Sequence, residues 1–277
     1  MNTTKNANKM TVLVTGAAGG LGKAFAVECA SRGWDLFLND CQRVPLETLA
    51  AALRRAYGVQ VVTHACDLTD AAEREGLFEH ARAEGWCFSM LINVAGVDFE
   101  GLFFDQSAKQ IQTIVRLNVE GTLAMTHAIL DHRKSDETLR IINVASLAAF
   151  YPMPVKATYA ASKRFLLDFS LALCEEVRSL DATITVLCPA GMPTNIENVQ
   201  AIEAQGLVGQ LTTRDVGRVA DQTLNAALAG KGLVIPGAIN RVVRSLGGLV
   251  PAPWVAGLIH QRWSSVRQKR GLDGAKA

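Results

Sequence analysis

The sequence is short of charge imbalance, of long apolar runs and of linker composition, and each shortage removes a class of function. Twenty-eight Lys and Arg face 26 Asp and Glu, a formal charge of +2 over 277 residues, so no basic field exists to attract nucleic acid. No segment reaches the roughly 18 uninterrupted apolar residues needed to cross a bilayer. Residues 1–10 are polar and lack the apolar stretch of a secretory signal, so a cytoplasmic protein with no integral membrane segment is expected. No Pro/Gly/Ser-rich block, repeat or low-complexity tract interrupts the chain, which favours one domain over two. The cysteines Cys29, Cys41, Cys66, Cys87, Cys174 and Cys188 show neither close pairs nor metal-ligand spacing and read as small buried hydrophobes in a reducing compartment. None of His64, His80, His127, His132 and His260 falls in a metal-binding pair, so no metal is expected.

What is present is a repeating pattern. Hydrophobic residues make up 49% of the chain, ample for a core. Short apolar runs at 11–14, 35–39, 59–65, 90–94, 141–145, 183–187 and 233–235 alternate with amphipathic helical patterns. This predicts an α/β fold, a doubly wound seven-stranded parallel sheet with helices on both faces and its ligand at the carboxyl ends of the strands. Pro45 suits the first turn of a helix whose Leu46, Leu49 and Leu53 share a face before Gly58 ends it. Thr69 or Asp70 caps the next helix, and 107–132 reads as one long helix carrying Asn118.

Two features bear on chemistry. Thr15-Gly16-Ala17-Ala18-Gly19-Gly20-Leu21-Gly22 lies between the first strand and the first helix. There Gly16 permits a tight turn, Gly20 lets amides approach a pyrophosphate, and Gly22 allows close packing of helix on strand. The free amides and positive end of that helix would face phosphates. Far downstream, Tyr159 and Lys163 stand four residues apart, which on a helix brings a phenol and an ammonium to one face. A nearby cation favours the phenolate, so Tyr159 is expected to titrate below the ordinary phenol value of about 10 and to exchange protons near neutral pH. So short a pair also arises by accident and gains meaning only beside the glycine loop.

With these motifs the chain resembles the short-chain dehydrogenase/reductase family over roughly residues 10–237, and 238–277 form an apolar and basic extension. Asn93-Val94-Ala95-Gly96 is similar to the family's Asn-x-Ala-Gly, Asn118 and Ser146 fall at its catalytic asparagine and serine, and Pro189-Ala190-Gly191 resembles its Pro-Gly segment with one residue inserted. The resemblance implies a Rossmann-type single domain with a catalytic set of Asn118, Ser146, Tyr159 and Lys163. It also implies cofactor contacts from Gly16, Ala18, Gly20, Leu21 and Gly22, from Asp40, Asp67 and Leu68, from Asn93, Ala95 and Gly96, from Tyr159 and Lys163, and from Pro189, Gly191 and Thr194. Tyr159 would be the general acid/base, Ser146 would hold the substrate oxygen, Lys163 would lower the phenol pKa and bind ribose, and Asn118 would order a relay water.

Asp40 ends the second strand, where its carboxylate would accept from ribose hydroxyls and repel a 2'-phosphate. NAD is therefore favoured over NADP, with Arg43 the one nearby group that could turn toward a phosphate. Asp67 reads equally as a turn residue. Leu147, Ala148, Ala149, Phe150, Pro152 and Met153, with Met192, Ile196, Val199, Ile202, Leu207 and Val208, suggest apolar walls for a small hydrophobic hydroxy or keto substrate. The function expected is hydride transfer between NAD(H) and a secondary alcohol or ketone. The alternatives are a sugar-nucleotide epimerase or dehydratase, and a non-catalytic NAD(P)-sensing protein. The extension, apolar at 246–259 and flanked by Arg241, Arg244, Arg262, Arg267, Lys269 and Arg270, reads as a peripheral membrane contact, a pocket-closing helix or a subunit contact. The resemblance implies a homodimer or homotetramer.

Overall fold

Alternation within each strand builds the core on both sides of one sheet. The computed structural model describes residues 9–192, 215–247 and 250–269, the side chains of 243, 246, 247 and 262–269 excepted. Strands β1 (Thr11–Thr15), β2 (Asp35–Asp40), β3 (Val61–Ala65), β4 (Met90–Asn93), β5 (Leu139–Val144), β6 (Ala182–Leu187) and β7 (Leu233–Val234) are parallel in the order β3-β2-β1-β4-β5-β6-β7. Val12, Val14, Leu36, Leu38 and Ile92 face one layer with Phe25 and Leu224, while Leu13, Phe37, Leu91 and Ile141 face the other with Leu77 and Met125. This is the period of two expected of strands covered on both faces.

The helices follow their end signals. Helix α1 (Gly20–Ser31) leaves the glycine loop, and α2 (Arg43–Tyr57) buries Leu46 and Leu53 before Gly58, at φ 65, donates to Arg54 O. Asp70 caps α3 (Ala71–Ala83) by accepting from Glu73 N, which settles the choice between Thr69 and Asp70. The long helix predicted at 107–132 is continuous but not uniform. Ser107 and Gln110 form a capping box on α4 (Ala108–Ile114), a π-helical stretch covers Val115–Gly121, and α5 (Thr122–Ala128) follows. Helix α6 (Ala157–Glu176) carries Tyr159 and Lys163, and α7 (Val216–Leu228) packs against α1.

A buried polar seam crosses the central strands. Asn93 and Asn143 are register partners, and Asn93 Nδ2 donates to Asn143 Oδ1 at 2.9 Å and to Thr126 Oγ1 at 3.0 Å. Asn143 Nδ2 in turn donates to Ser170 Oγ at 3.0 Å. After Gly237, α8 (Ala238–Gly247) is held to the sheet domain by Asn240 Nδ2 donating to Pro236 O at 2.7 Å and by Arg244 lying 5.1 Å from the Phe150 ring centroid. On α9 (Ala252–Lys269), Trp254 and Leu258 are exposed. Of the cysteines, Cys29, Cys66 and Cys188 are buried as expected, whereas Cys41 and Cys87 are exposed. Among the described residues no helix is long and apolar enough to cross a membrane, and no cluster of three or more His, Cys, Asp or Glu could hold a metal ion.

Candidate active site

The carboxyl ends of β1, β2, β4, β5 and β6 converge, and the short connections there carry nearly all the polar groups expected of the site. The glycine turn closes with Gly19 N donating to Gly16 O at 3.1 Å. A Cβ on Gly22 would stand 2.0 Å from Gly16 O, so no side chain fits and the helix start lies directly on the turn. Gly19 caps α1 without any side-chain hydrogen bond, which leaves the first-turn amides available to an anion. Thr15 Oγ1 ties this loop to the next strand end by accepting from Val94 N at 3.1 Å and Ala95 N at 3.2 Å.

Asp40 is buried, and each of its oxygens takes one amide: Oδ2 from Ala18 at 3.0 Å and Oδ1 from Gln42 at 3.0 Å. It is thus both a turn residue and a carboxylate with acceptor capacity left for a ribose hydroxyl, one further site being taken by the Cys41 thiol. Asp67 Oδ1 accepts from Thr69 N at 2.8 Å, an Asx turn, and Leu68 is buried. The glycine cradle, the uncapped helix start and the Asp40 carboxylate together fit a dinucleotide.

The placement of Asn93 limits how it could meet a cofactor. Its side chain is committed to the seam with Asn143 and Thr126, so only its main chain remains for a cofactor. The preceding β-strand period sends it toward the interior, where an unpaired amide would be costly. Gly96 does reach the site: a Cβ there would stand 3.1 Å from Asn118 Oδ1 and 3.3 Å from Lys163 Nζ.

Asn118, fully buried in the π-helical stretch, accepts from Val97 N at 2.8 Å and donates to Val97 O at 3.0 Å and Ser162 Oγ at 3.1 Å. Both of its protons are engaged, so the side chain holds the loop after β4 and keeps one lone pair of Oδ1 for a water. Ser146 Oγ accepts from Ala148 N at 3.1 Å, and the Ser146 side chain also hydrogen-bonds the Tyr159 phenol. Leu147 N donates to Pro189 O at 2.8 Å, which joins this turn to the segment after β6. Gly191 is exposed, while Thr194, Ile196, Val199, Ile202, Leu207 and Val208 lie outside the described residues.

Lys163 is nearly fully buried, donates to Val144 O at 2.9 Å, and stands 5.7 Å from the Tyr159 ring centroid. The pairing foreseen from spacing is present, but its electrostatic outcome is reversed. Burial lowers the Lys163 ammonium to about 8, and burial, followed by the Asp98 carboxylate, pushes the Tyr159 phenol up rather than down. Desolvation disfavours the charged form of both groups. The cation that acts to lower the phenol is Lys156, which sequence reasoning did not single out. Its position three residues before Tyr159 was the available signal.

Four of the residues expected to form apolar walls lie together. Ala149, Phe150, Pro152 and Met153 line a recess of about 540 Å³ together with Ala157, Ala160, Ala161, Arg164, Ala252 and Ala256. Ser146, Tyr159 and Lys163 are not among its lining residues. The α6 residues that line it fall on a flank turned away from the one carrying Tyr159 and Lys163.

Known proteins resemble the chain along most of its length. A family model described as short chain dehydrogenase matches residues 10–204. The chain is 31% identical over 186 residues to 17-beta-hydroxysteroid dehydrogenase type 3 of Homo sapiens, covering 66% of this chain and 59% of that protein. It is 33% identical over 174 residues to a very-long-chain 3-oxoacyl-CoA reductase of Laccaria bicolor, covering 62% and 52% respectively. The chain thus spans little more than half the length of these curated relatives. Among solved structures, a short-chain dehydrogenase from Sphingobium yanoikuyae in complex with NADPH is 28% identical, with TM-score 0.72 and coverage of 97% of this chain and 98% of that one. The bulky-bulky ketone specific alcohol dehydrogenase from Comamonas testosteroni is 26% identical, with TM-score 0.72 and coverage of 87% and 93%.

Proposed function

Since the chain belongs to the short-chain dehydrogenase family, we propose that it moves a hydride between NAD(H) and a secondary alcohol or ketone on a hydrophobic body, with Tyr159 as general acid/base. The observation that carries this reading is the Tyr159 phenol, bonded to Ser146 and backed by Lys163 beside the open glycine cradle. When bound, the nicotinamide supplies or accepts the hydride. The phenol gives its proton to the carbonyl oxygen in reduction and takes it back in oxidation. The Ser146 hydroxyl, with one lone pair engaged by Ala148 N, would turn its proton from the Tyr159 phenol to that oxygen. Lys163 is the residue that would hold the nicotinamide ribose, and the free lone pair of Asn118 would hold the water that returns protons to it.

NAD is the cofactor proposed. The Asp40 charge lies where a 2'-phosphate would come, Cys41 rather than a basic residue follows it, and Arg43 acts electrostatically on the His64 ring. The relatives' names support a hydrophobic substrate, since they specify a hydroxysteroid, a long-chain 3-oxoacyl group and bulky ketones. Phe165 and Leu171 on α6 and Val115 on the long helix are exposed, which supports self-association through these helices. A panel of hydrophobic secondary alcohols, assayed by NADH fluorescence in wild type and Tyr159→Phe, tests the proposal. Turnover retained by the Phe variant would refute the acid/base role.

A further inference from the structure

Two loops place charges against the Tyr159 ring that no motif accounts for. Lys156, the residue before α6, holds its Nζ 5.9 Å from the ring centroid, so ammonium groups three residues before and four residues after Tyr159 both approach it. Lys156 is held in that place. It donates to Asp98 Oδ2 at 2.5 Å and lies 3.4 Å from Glu100 Oε2. The acid-bearing loop is tied down independently, because Gly101 N donates to Val155 O at 2.9 Å and Gln106 Nε2 donates to Phe99 O at 2.7 Å. Val155, directly before Lys156, has φ 62, a region that a β-branched residue strongly disfavours. Strain of this kind persists where surrounding structure enforces it, and it clusters at functional sites.

Resting on the reading of Tyr159 as the acid, we propose that Asp98 and Lys156 form a second charge pair positioning this tyrosine, with Lys156 supplying a cation to the phenol and Asp98 limiting how strongly it is felt. The charges act in that sense: Asp98 disfavours the phenolate, Lys156 favours it, and Asp98 and Glu100 hold Lys156 in its charged form. Asp98 also favours the charged form of Lys163. From β5 the phenol is met by the neutral Ser146 hydroxyl, and beside Lys163 the Cys188 thiol, raised by burial to about 12, stays neutral. From α8, Arg244 acts on Tyr151 and Cys188. Among the described residues, Asp98 and Lys156 are therefore the adjustable charges at this phenol, and both lie outside the glycine cradle.

The chain has three tyrosines, so Tyr57→Phe with Tyr151→Phe leaves Tyr159 as its only phenol. A ring-fluorinated tyrosine incorporated in that full-length background gives one fluorine NMR signal that follows its ionisation without any substrate. Asp98→Asn is expected to raise the tyrosinate fraction at a fixed pH by about three- to tenfold, Lys156→Met to lower it by a similar factor, and Lys156→Arg to restore it. Unmoved titrations in both Asp98→Asn and Lys156→Met, or shifts of the same sign, overturn the proposal. If circular dichroism shows Lys156→Met unfolded, Asp98→Asn alone decides. The acid role is judged separately: an active Tyr159→Phe enzyme removes it whatever the titration does, and an immobile titration with an inactive Phe variant removes only the charge pair.

Discussion

Lys163, by its burial, makes the stability of this molecule depend on pH. Its ordinary value is 10.5 and its folded value about 8, so between these two the unfolded chain binds more protons than the folded one. Stability from this group therefore rises with pH across that window and is flat on either side. The gap in melting temperature between wild type and Lys163→Met should move in favour of wild type from pH 8 to pH 10, as read by calorimetry at matched salt. A constant gap would mean that the ammonium is not desolvated. At Tyr159, replacement by Phe should cut kcat by about 100- to 10,000-fold while NAD binding, followed by fluorescence, changes little. The sequence displayed this pair because four-residue spacing on a helix guarantees a shared face. It did not display the balance of charges, because burial and the Asp98 carboxylate act through space across loops whose course no local pattern encodes.

Among the elements, the π-helical stretch Val115–Gly121 matters most, because it carries Asn118 to the loop after β4. Asn118→Ala would leave Val97 N, Val97 O and Ser162 Oγ without this partner, at a cost of about 3 kcal/mol. Urea denaturation should show the loss as a lower midpoint with an unchanged slope. Gly22→Ala is predicted to act differently. Its Cβ would collide with Gly16 O, so the turn must open and NAD affinity by calorimetry should fall below detection while far-ultraviolet dichroism stays near wild type. The helix over 107–132 was legible from its apolar period and from Ser107 at its start. Its π-helical turn was not, since one widened turn alters hydrogen-bond partners without disturbing a pattern averaged over many residues. The cap at Asp70 was narrowed to two candidates for a similar reason: Thr69 and Asp70 both accept hydrogen bonds, and only backbone geometry selects between them.

For the molecule as a whole, cofactor preference is the property most open to measurement. A ligand at 100 times its Kd adds about 2.7 kcal/mol to stability. At equal millimolar concentration NAD should therefore raise the melting temperature well above the effect of NADP, and Asp40→Ser should narrow the difference. A larger shift with NADP would sink the charge argument built on Asp40. Seven parallel strands were readable in advance because strands covered on both faces are apolar throughout, and helical patterns between them force crossovers. That same uniformity creates a hazard. Ile92 beside Ile142 and Leu91 beside Ile141 are nearly interchangeable, so hydrophobicity alone would let β4 slide along β5 by a pleat with little penalty. The amides of Asn93 and Asn143 meet in one alignment only, and a slip breaks that bond inside the core. The central seam thus acts as a key that discriminates against misaligned assemblies, and swapping both asparagines for leucine should yield a chain that collapses readily but samples several sheet alignments.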